Sequence, residues 1–168
     1  LLHFPKPLIA AVKGVAVGIG TTMLLHCDLV YSSEEAKFQF PFVSLGLVPE
    51  AGSSLLLPRL VGEKRAAQLL YEALPFSAQT AHTYGLINEV YSSSQFEQAL
   101  AKKIAHLVEQ PSLALCATKR LLRQRAHALL EEVFQEEATL FLQHLQSPEF
   151  FEAVQRFMSK KKGNEEST

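Results

Sequence analysis

Hydrophobic residues in the first half of the chain fall in short runs separated by glycines, whereas those of the second half recur at helical spacing. The first apolar run begins after Pro7 and ends at Gly14, a pattern typical of a strand that is buried on both faces. The glycine-rich segment 15–20 follows, and it leads into an apolar run, 21–28, that can be helical. The pattern therefore predicts a strand, a glycine turn and a helix.

Two more strand-like runs, 29–31 and 37–40, come before a segment rich in turn residues. From Ser53 onward the pattern is mostly helical, with one further strand expected within 86–91. The segments with helical spacing are 53–62, 63–73, 77–85, 94–109, 112–146 and 147–162, with Ser77 as a helix start, Gly85 as a helix stop, and Pro111 and Pro148 as first-turn prolines. The fold class expected is α/β in the first half followed by helices, and 163–168 reads as a disordered end.

Composition places the chain among single globular domains. It has 168 residues, of which 48% are hydrophobic and 20% charged, and a formal net charge of -1. The near-neutral charge argues against nucleic acid as a partner. A membrane-spanning helix is not expected, because Lys13 and the glycines interrupt the most apolar stretch. Cys27 and Cys116 lie far apart and fit neither a disulfide framework nor a zinc site.

The turn Gly18-Ile19-Gly20 is the first candidate for chemistry. A dinucleotide-binding fingerprint is rejected, because Met23 occupies the position of its third glycine. What remains is a glycine turn that opens a helix, where unpaired backbone N–H groups favour an oxyanion. The alternative is that the glycines only allow close packing of strand and helix.

Glu50 is the second candidate, because it is the only charged residue in the largely apolar segment 47–54. If the carboxyl is buried, desolvation raises its pKa and the helix start that follows lowers it, which leaves a base suited to neutral pH. The alternative is a solvated glutamate that supports the helix dipole.

The remaining polar residues favour structural roles. The six histidines show no metal-binding spacing, and His26 is interpreted as a packed histidine. Ser53 and Ser54 lack the context of a nucleophile elbow and are interpreted as helix-capping residues. Asp28 is expected to accept structural hydrogen bonds.

An ordered series of motifs carries a family resemblance. The motifs are 6–14 (KPLIAAVKG), 16–20 (AVGIG), 27–31 (CDLVY), 38–39 with Pro41, 46–54 (GLVPEAGSS), 58–59 with Gly62, and 77–90. Over residues 5–160 the chain resembles the crotonase (enoyl-CoA hydratase/isomerase) superfamily.

The resemblance implies a core built as a ββα superhelix, followed by a helical trimerisation region. On this basis residues 1–92 are expected to form part of the crotonase core with the acyl-CoA site. Residues 93–168 are expected to form the helical oligomerisation region and a flexible tail. The first part of the family core, with its adenine-binding elements and one oxyanion-hole amide, is expected to have no counterpart before Leu1. A homotrimer or a hexamer formed by two trimers is the implied assembly.

The resemblance also implies the site. The backbone N–H of Ile19 is expected to bind the thioester oxygen, between the substrate-binding residues Gly18 and Gly20. Hydratases of the family place two catalytic glutamates at positions that Thr22 and Phe42 occupy here. Thr22 and Phe42 are therefore expected to line the substrate site without carrying protons.

Glu50 lies where the Δ3,Δ2-enoyl-CoA isomerase branch carries its single catalytic glutamate. Leu45, Phe157 and Lys160 are expected to contribute further to substrate binding. The last two belong to the C-terminal segment, which by family analogy approaches the CoA phosphates or a neighbouring protomer.

The function implied is isomerisation of 3-enoyl-CoA to 2-trans-enoyl-CoA in fatty acid β-oxidation, without a metal or redox cofactor, since coenzyme A is part of the substrate. One alternative is a non-catalytic crotonase-fold module that binds acyl-CoA or only assembles. Another is a different crotonase reaction, such as hydration or thioester hydrolysis. A cytoplasmic location is expected, since the use of cysteine fits a reducing compartment best, and residues 166–168 are not a peroxisomal SKL-type signal.

Overall fold

Two small sheets form the first half of the chain. The computed structural model of the protein describes the backbone of residues 1–165, and the side chains of all of these except 126, 157, 158 and 160–165. The first sheet has the order β1-β3-β6 and is parallel throughout. The second has the order β2-β4-β5, with β2 parallel and β5 antiparallel to β4. The strands are β1 Ile9–Val12, β2 Val15–Val17, β3 Leu29–Ser33, β4 Lys37–Gln39, β5 Phe76–Ser77 and β6 Glu89–Tyr91.

The first four strands alternate between the two sheets along the chain. Gly14, at φ +79°, turns the chain from β1 into β2, and a helical segment follows each of the pairs β1–β2 and β3–β4. Each such ββα unit is one turn of a superhelix, so the expected α/β superhelix is confirmed.

Helices cover most of the chain after β4. They are α1 Ile19–Thr22, α2 Ser53–Val61, α3 Glu63–Glu72, α4 Ala78–Thr83, α5 Phe96–Val108, α6 Ser112–Arg123, α7 His127–Leu145 and α8 Pro148–Glu165, with 3-10 turns at Met23–His26, Val43–Leu45 and Gln124–Ala126. The helical second half is therefore confirmed. Residue 92 lies between β6 and α5, and a division into two domains there stays a prediction. Disorder of residues 163–165 was the wrong expectation, because they belong to α8, and 166–168 lie outside the described residues.

Several local expectations were wrong. The segment 15–20 is not only a turn, because Val15–Val17 forms β2 and pairs with residues 37–39 of β4. The helix after it has a single α turn and then tightens to 3-10 geometry. The segment 112–146 holds two helices rather than one. Pro111 precedes α6 as its N-cap instead of lying in its first turn.

Aromatic residues in β4 and directly after it anchor the core. Phe38 and Phe40 lie on one face of the chain, are fully buried, and stack on Phe76 with ring centroids 5.8 and 6.0 Å apart. Gln39 lies on the opposite face, where its Nε2 donates to the Ala73 carbonyl at 2.8 Å. Leu57 of α2 is also fully buried in this cluster. The α/β half therefore has its own continuous core.

Asp28 joins the helical half to the first sheet. Its carboxylate accepts from the Leu8 N–H at 2.7 Å and from Lys119 Nζ at 2.7 Å, and Arg123 Nε lies 3.3 Å away. Lys119 and Arg123 belong to α6, so the Asp28 carboxylate connects that helix to the residues that precede β1 and β3. The structural role expected for Asp28 is confirmed.

Two glycines let α7 and α8 approach the core closely. Gly52 has φ +70°, and a Cβ there would lie 2.8 Å from Leu130 Cδ2 and 2.9 Å from Phe134 Cε1 of α7. Gly46 has φ +69°, and a Cβ there would lie 3.0 Å from the backbone of Glu149 in α8. Among the described residues, no helix is long and apolar enough to cross a membrane.

We expect the substitution Gly52→Ala to lower the free energy of unfolding by about 2 to 4 kcal/mol, since it combines left-handed strain with overpacking against α7. Gly85→Ala is the matched control. Gly85 also has a positive φ, at +78°, but nothing lies within 4 Å of a Cβ built there. Urea unfolding of both variants checks the difference, and equal losses would show that α7 does not press on Gly52.

Candidate active site

Glu50 lies in the loop that leads into α2, where a buried hydroxyl meets its side chain. Thr22 ends α1, is fully buried, and donates from Oγ1 to Glu50 Oε1 at 2.5 Å. The two residues are 28 apart in sequence. The strands β3 and β4 lie between them, and after β4 the chain comes back to α1. The Thr22 hydroxyl therefore fixes one oxygen of a half-buried carboxylate.

Side chains also donate hydrogen bonds to the backbone carbonyls of this loop. His26 Nε2 donates to the Ala51 carbonyl at 2.6 Å, and Ala51 adopts φ +58°, which is rare for a residue with a Cβ. Ser53 Oγ donates to the Glu50 carbonyl at 2.6 Å. His26 is packed and buried, as expected, and it also holds the strained residue beside Glu50.

A carboxylate from α7 caps the N-terminus of α2. Glu137 Oε2 accepts from the Gly52 N–H at 2.6 Å, and Glu137 Oε1 accepts from the Ser54 N–H at 2.9 Å and the Ser54 hydroxyl at 2.6 Å. Capping of α2 by Ser53 and Ser54 was therefore the wrong expectation, because both hydroxyls are donors to other groups. Local sequence does not reveal the cap, since Glu137 is more than 80 residues away. The sequence signal that could have indicated this cap is Glu137 itself, a glutamate that lies between Phe134 and Phe141 at helical spacing.

A cavity of about 600 Å³ opens beside Glu50. Its lining is mostly apolar and comes from the glycine turn, the end of β4, the Glu50 loop and α7. The lining residues are Ile19, Phe42, Glu50, Ala51, Phe134, Glu137, Ala138, Phe141 and Leu142. Such a cavity suits an apolar ligand with a few polar contacts.

The glycine turn contributes Ile19 to the lining of this cavity. Gly18 adopts φ +57° and ψ -121°, its N–H donates to the Gln39 carbonyl, and its own carbonyl accepts from Thr21 and Thr22. These bonds leave the Ile19 N–H without an acceptor in the described part of the chain. An amide of this kind can stabilise negative charge on a ligand oxygen.

Burial dominates the electrostatics of Glu50. Desolvation raises the pKa of this carboxyl, the Thr22 hydrogen bond lowers it, and the negative charge of Glu137 raises it, so that the pKa lies above its ordinary value. Burial lowers the pKa of His26, which favours the neutral ring. Glu50 is thereby a stronger base than a solvated glutamate.

The other predicted site residues occupy different places. Phe42 is buried and lines the cavity. Gly20 lies inside α1, next to Ile19, and Leu45 ends a 3-10 turn where it packs against the core. The side chains of Phe157 and Lys160 lie outside the described residues. Within the described part of the chain, no group of three or more His, Cys, Asp or Glu residues is arranged to hold a metal ion.

The chain is similar to proteins of one family over its whole length. The enoyl-CoA hydratase/isomerase family matches residues 1–167. The chain is 36% identical to enoyl-CoA delta isomerase 2 of Rattus norvegicus over 160 residues, which are 95% of the chain and 41% of that protein. It is 35% identical to 2,3-dehydroadipyl-CoA hydratase of Escherichia coli (strain K12) over 164 residues, which are 96% of the chain and 63% of that protein.

A solved structure of an enoyl-CoA hydratase/isomerase from Pseudoalteromonas atlantica T6c is similar with a TM-score of 0.91 at 36% identity. The similarity covers 95% of this chain and 64% of that one. The chain thus spans between 41% and 64% of the length of these relatives.

We expect Thr22→Val to raise the pKa of Glu50 further, because it removes the hydrogen bond that favours the ionised carboxylate. Thr21→Val is the matched control, since the Thr21 hydroxyl is equally buried but donates to the Ala16 carbonyl. A ¹³C NMR titration of labelled glutamate, with the Glu50 signal assigned through Glu50→Gln, measures both. An unchanged Glu50 titration in Thr22→Val would show that the bond does not form.

We expect Glu50→Gln to stabilise the fold at pH 8 but not at pH 4. The folded-state pKa of Glu50 is raised, so the native state binds more protons than the unfolded state between the ordinary value near 4.5 and the raised value. The burial of Glu50 therefore lowers the free energy of unfolding, and the loss grows as the pH rises through that window. Thermal unfolding of wild type and variant at both pH values checks this, and an equal difference at both would contradict it.

Proposed function

The chain belongs to the enoyl-CoA hydratase/isomerase family, and we propose that it acts on an acyl-CoA thioester, converting a 3-enoyl-CoA into the 2-trans-enoyl-CoA. The observation that carries the proposal is the placement of Glu50. This carboxylate has a raised pKa, is fixed by Thr22, and lines a mostly apolar cavity together with Ile19.

The proposed reaction moves one proton. The Glu50 carboxylate removes a proton from C2, and the electron pair of the broken C–H bond forms an enolate with the thioester carbonyl. The Ile19 N–H donates to the enolate oxygen. The same proton then returns at C4, while the double bond shifts from C3–C4 to C2–C3. No atom is gained or lost, and the reaction needs no metal or redox cofactor.

The geometry of Glu50 suits this double transfer. Thr22 holds Oε1, and Oε2 has no hydrogen-bond partner in the described part of the chain. Oε2 is therefore the oxygen that carries the proton. A raised pKa brings the carboxyl closer to neutral pH, where general base catalysis is most effective.

Hydration is the second candidate, because a hydratase is among the relatives and the cavity is lined by two carboxylates, Glu50 and Glu137. Glu137 is less available than Glu50 for activating water, since its two oxygens already accept three hydrogen bonds from the start of α2. The two positions that hydratases use for glutamates hold Thr22 and Phe42. These contacts favour isomerisation over hydration.

We also propose assembly into a homotrimer or a dimer of trimers. Three leucines of α6 support this proposal, because Leu113, Leu121 and Leu122 are 86%, 72% and 76% exposed. The cytoplasmic location stays a prediction.

We expect Glu50→Gln in the full-length gene product to slow isomerisation by about 10²- to 10⁴-fold, because the general base is removed. Acyl-CoA binding should be retained, since glutamine has the same shape. The assay follows 2-trans-enoyl-CoA formed from 3-enoyl-CoA by chromatography, and calorimetry measures binding. Glu132→Gln, at an exposed position of α7, is the control and should keep wild-type turnover.

The products separate the alternatives. Formation of 3-hydroxyacyl-CoA by the wild type would indicate hydration, and release of a free thiol would indicate thioester hydrolysis. Binding of acyl-CoA without any turnover would indicate a binding or assembly module. Each of these results, or full isomerase turnover by Glu50→Gln, would contradict the proposal.

A further inference from the structure

We infer that Glu137 is a positioning residue for Glu50: it fixes the loop that carries Glu50 and adds negative charge beside it. The inference rests on the proposed function, because it gives Glu137 its role through the proton transfer assigned to Glu50. It does not make Glu137 a catalytic residue.

Three hydrogen bonds from the start of α2 engage both oxygens of Glu137. Oε2 is taken by the Gly52 N–H and Oε1 by the N–H and hydroxyl of Ser54. The residue is 6% exposed although it lines the cavity. Its charge lies at the positive end of the α2 dipole, which offsets the cost of burying a carboxylate there.

The hydrogen bonds of Glu137 also affect Glu50, because Ser53 connects the two. Gly52 and Ser54 flank Ser53, whose hydroxyl and N–H both donate to the Glu50 carbonyl, at 2.6 and 3.1 Å. When Glu137 fixes Gly52 and Ser54, it therefore fixes Ser53 and the Glu50 peptide as well. The carboxyl of Glu50 is held separately, by Thr22.

Glu137 also contributes to the electrostatics of Glu50, after burial and the Thr22 hydrogen bond. α1 contributes Thr22 but no ionisable group, and the 3-10 turn after it contributes His26, for which burial favours the neutral form. The negative charge of Glu137 comes from α7 and raises the pKa of Glu50. Glu137 therefore acts on Glu50 through both position and charge, and variants that keep the charge separate the two effects.

The test compares Glu137→Gln with Glu136→Gln in the full-length gene product. Glu136 is the exposed neighbour of Glu137 on α7 and lies outside the site. In Glu137→Gln, we expect the Glu50 signal in a ¹³C NMR titration to move to lower pH, and the acid limb of the kcat profile to move with it. We expect kcat to fall about tenfold or more with KM little changed, because small misplacements of a reacting group are costly. Glu136→Gln should match the wild type.

Two further variants separate position from charge. Ser54→Ala removes one hydrogen bond to Glu137 and keeps the charge, so it should lower Tm without moving the Glu50 titration. Glu137→Asp keeps the charge but shortens its reach, so kcat should fall while the acid limb stays near its wild-type pH. If Glu137→Gln does not fold, Glu137→Asp still decides, because wild-type kcat in that variant would overturn the inference.

The outcomes distinguish this inference from the proposed function. If Glu137→Gln loses stability but keeps the wild-type Glu50 titration and pH profile, Glu137 is only a helix cap and the inference is wrong, while the isomerase proposal stands. If the wild type does not isomerise but the Glu50 titration moves in Glu137→Gln, the proposed function fails, and the coupling of Glu137 to Glu50 is supported.

Discussion

The contact between the Glu137 carboxylate and the first amides of α2 is the constraint on which the site depends. It joins α7 of the helical half to the loop that carries Glu50. Gly52 makes it possible, because a Cβ at that position would collide with Leu130 and Phe134. With α7 seated in this way, its aromatic residues form one wall of the cavity and the Glu50 loop forms another. Neither half of the described chain builds the cavity alone.

The loop also shows how a destabilising arrangement is maintained. Glu50 is half buried with a raised pKa, and Ala51 beside it adopts a left-handed backbone that costs on the order of 1 to 3 kcal/mol. Hydrogen bonds from His26, Ser53 and Thr22 offset these costs. Each of these donors is buried, which strengthens its bond relative to one exposed to water.

Sequence patterns single out residues whose signal is local. Ser77 is confirmed as a helix start, because its side chain accepts from the Thr80 N–H. Glu50, as a charge in an apolar segment, and the Gly18-Ile19-Gly20 turn, as an amide site, stay predictions of function. The β2 strand was missed because it is three residues long and is defined by pairing with β4. The cap of α2 was assigned wrongly because local serines satisfy the usual rule, whereas the group that fills the role lies on α7.

The two carboxylates at the cavity differ in their partners, and this difference separates their roles. Glu137 accepts three hydrogen bonds from the start of a helix, and these engage both of its oxygens. Glu50 accepts one, from a hydroxyl, and keeps its second oxygen for a ligand. Because the helix end binds both oxygens of Glu137, its charge acts on Glu50 from a fixed position. A single mobile proton at Glu50 is what a double-bond shift requires, whereas hydration would need a second group free to activate water.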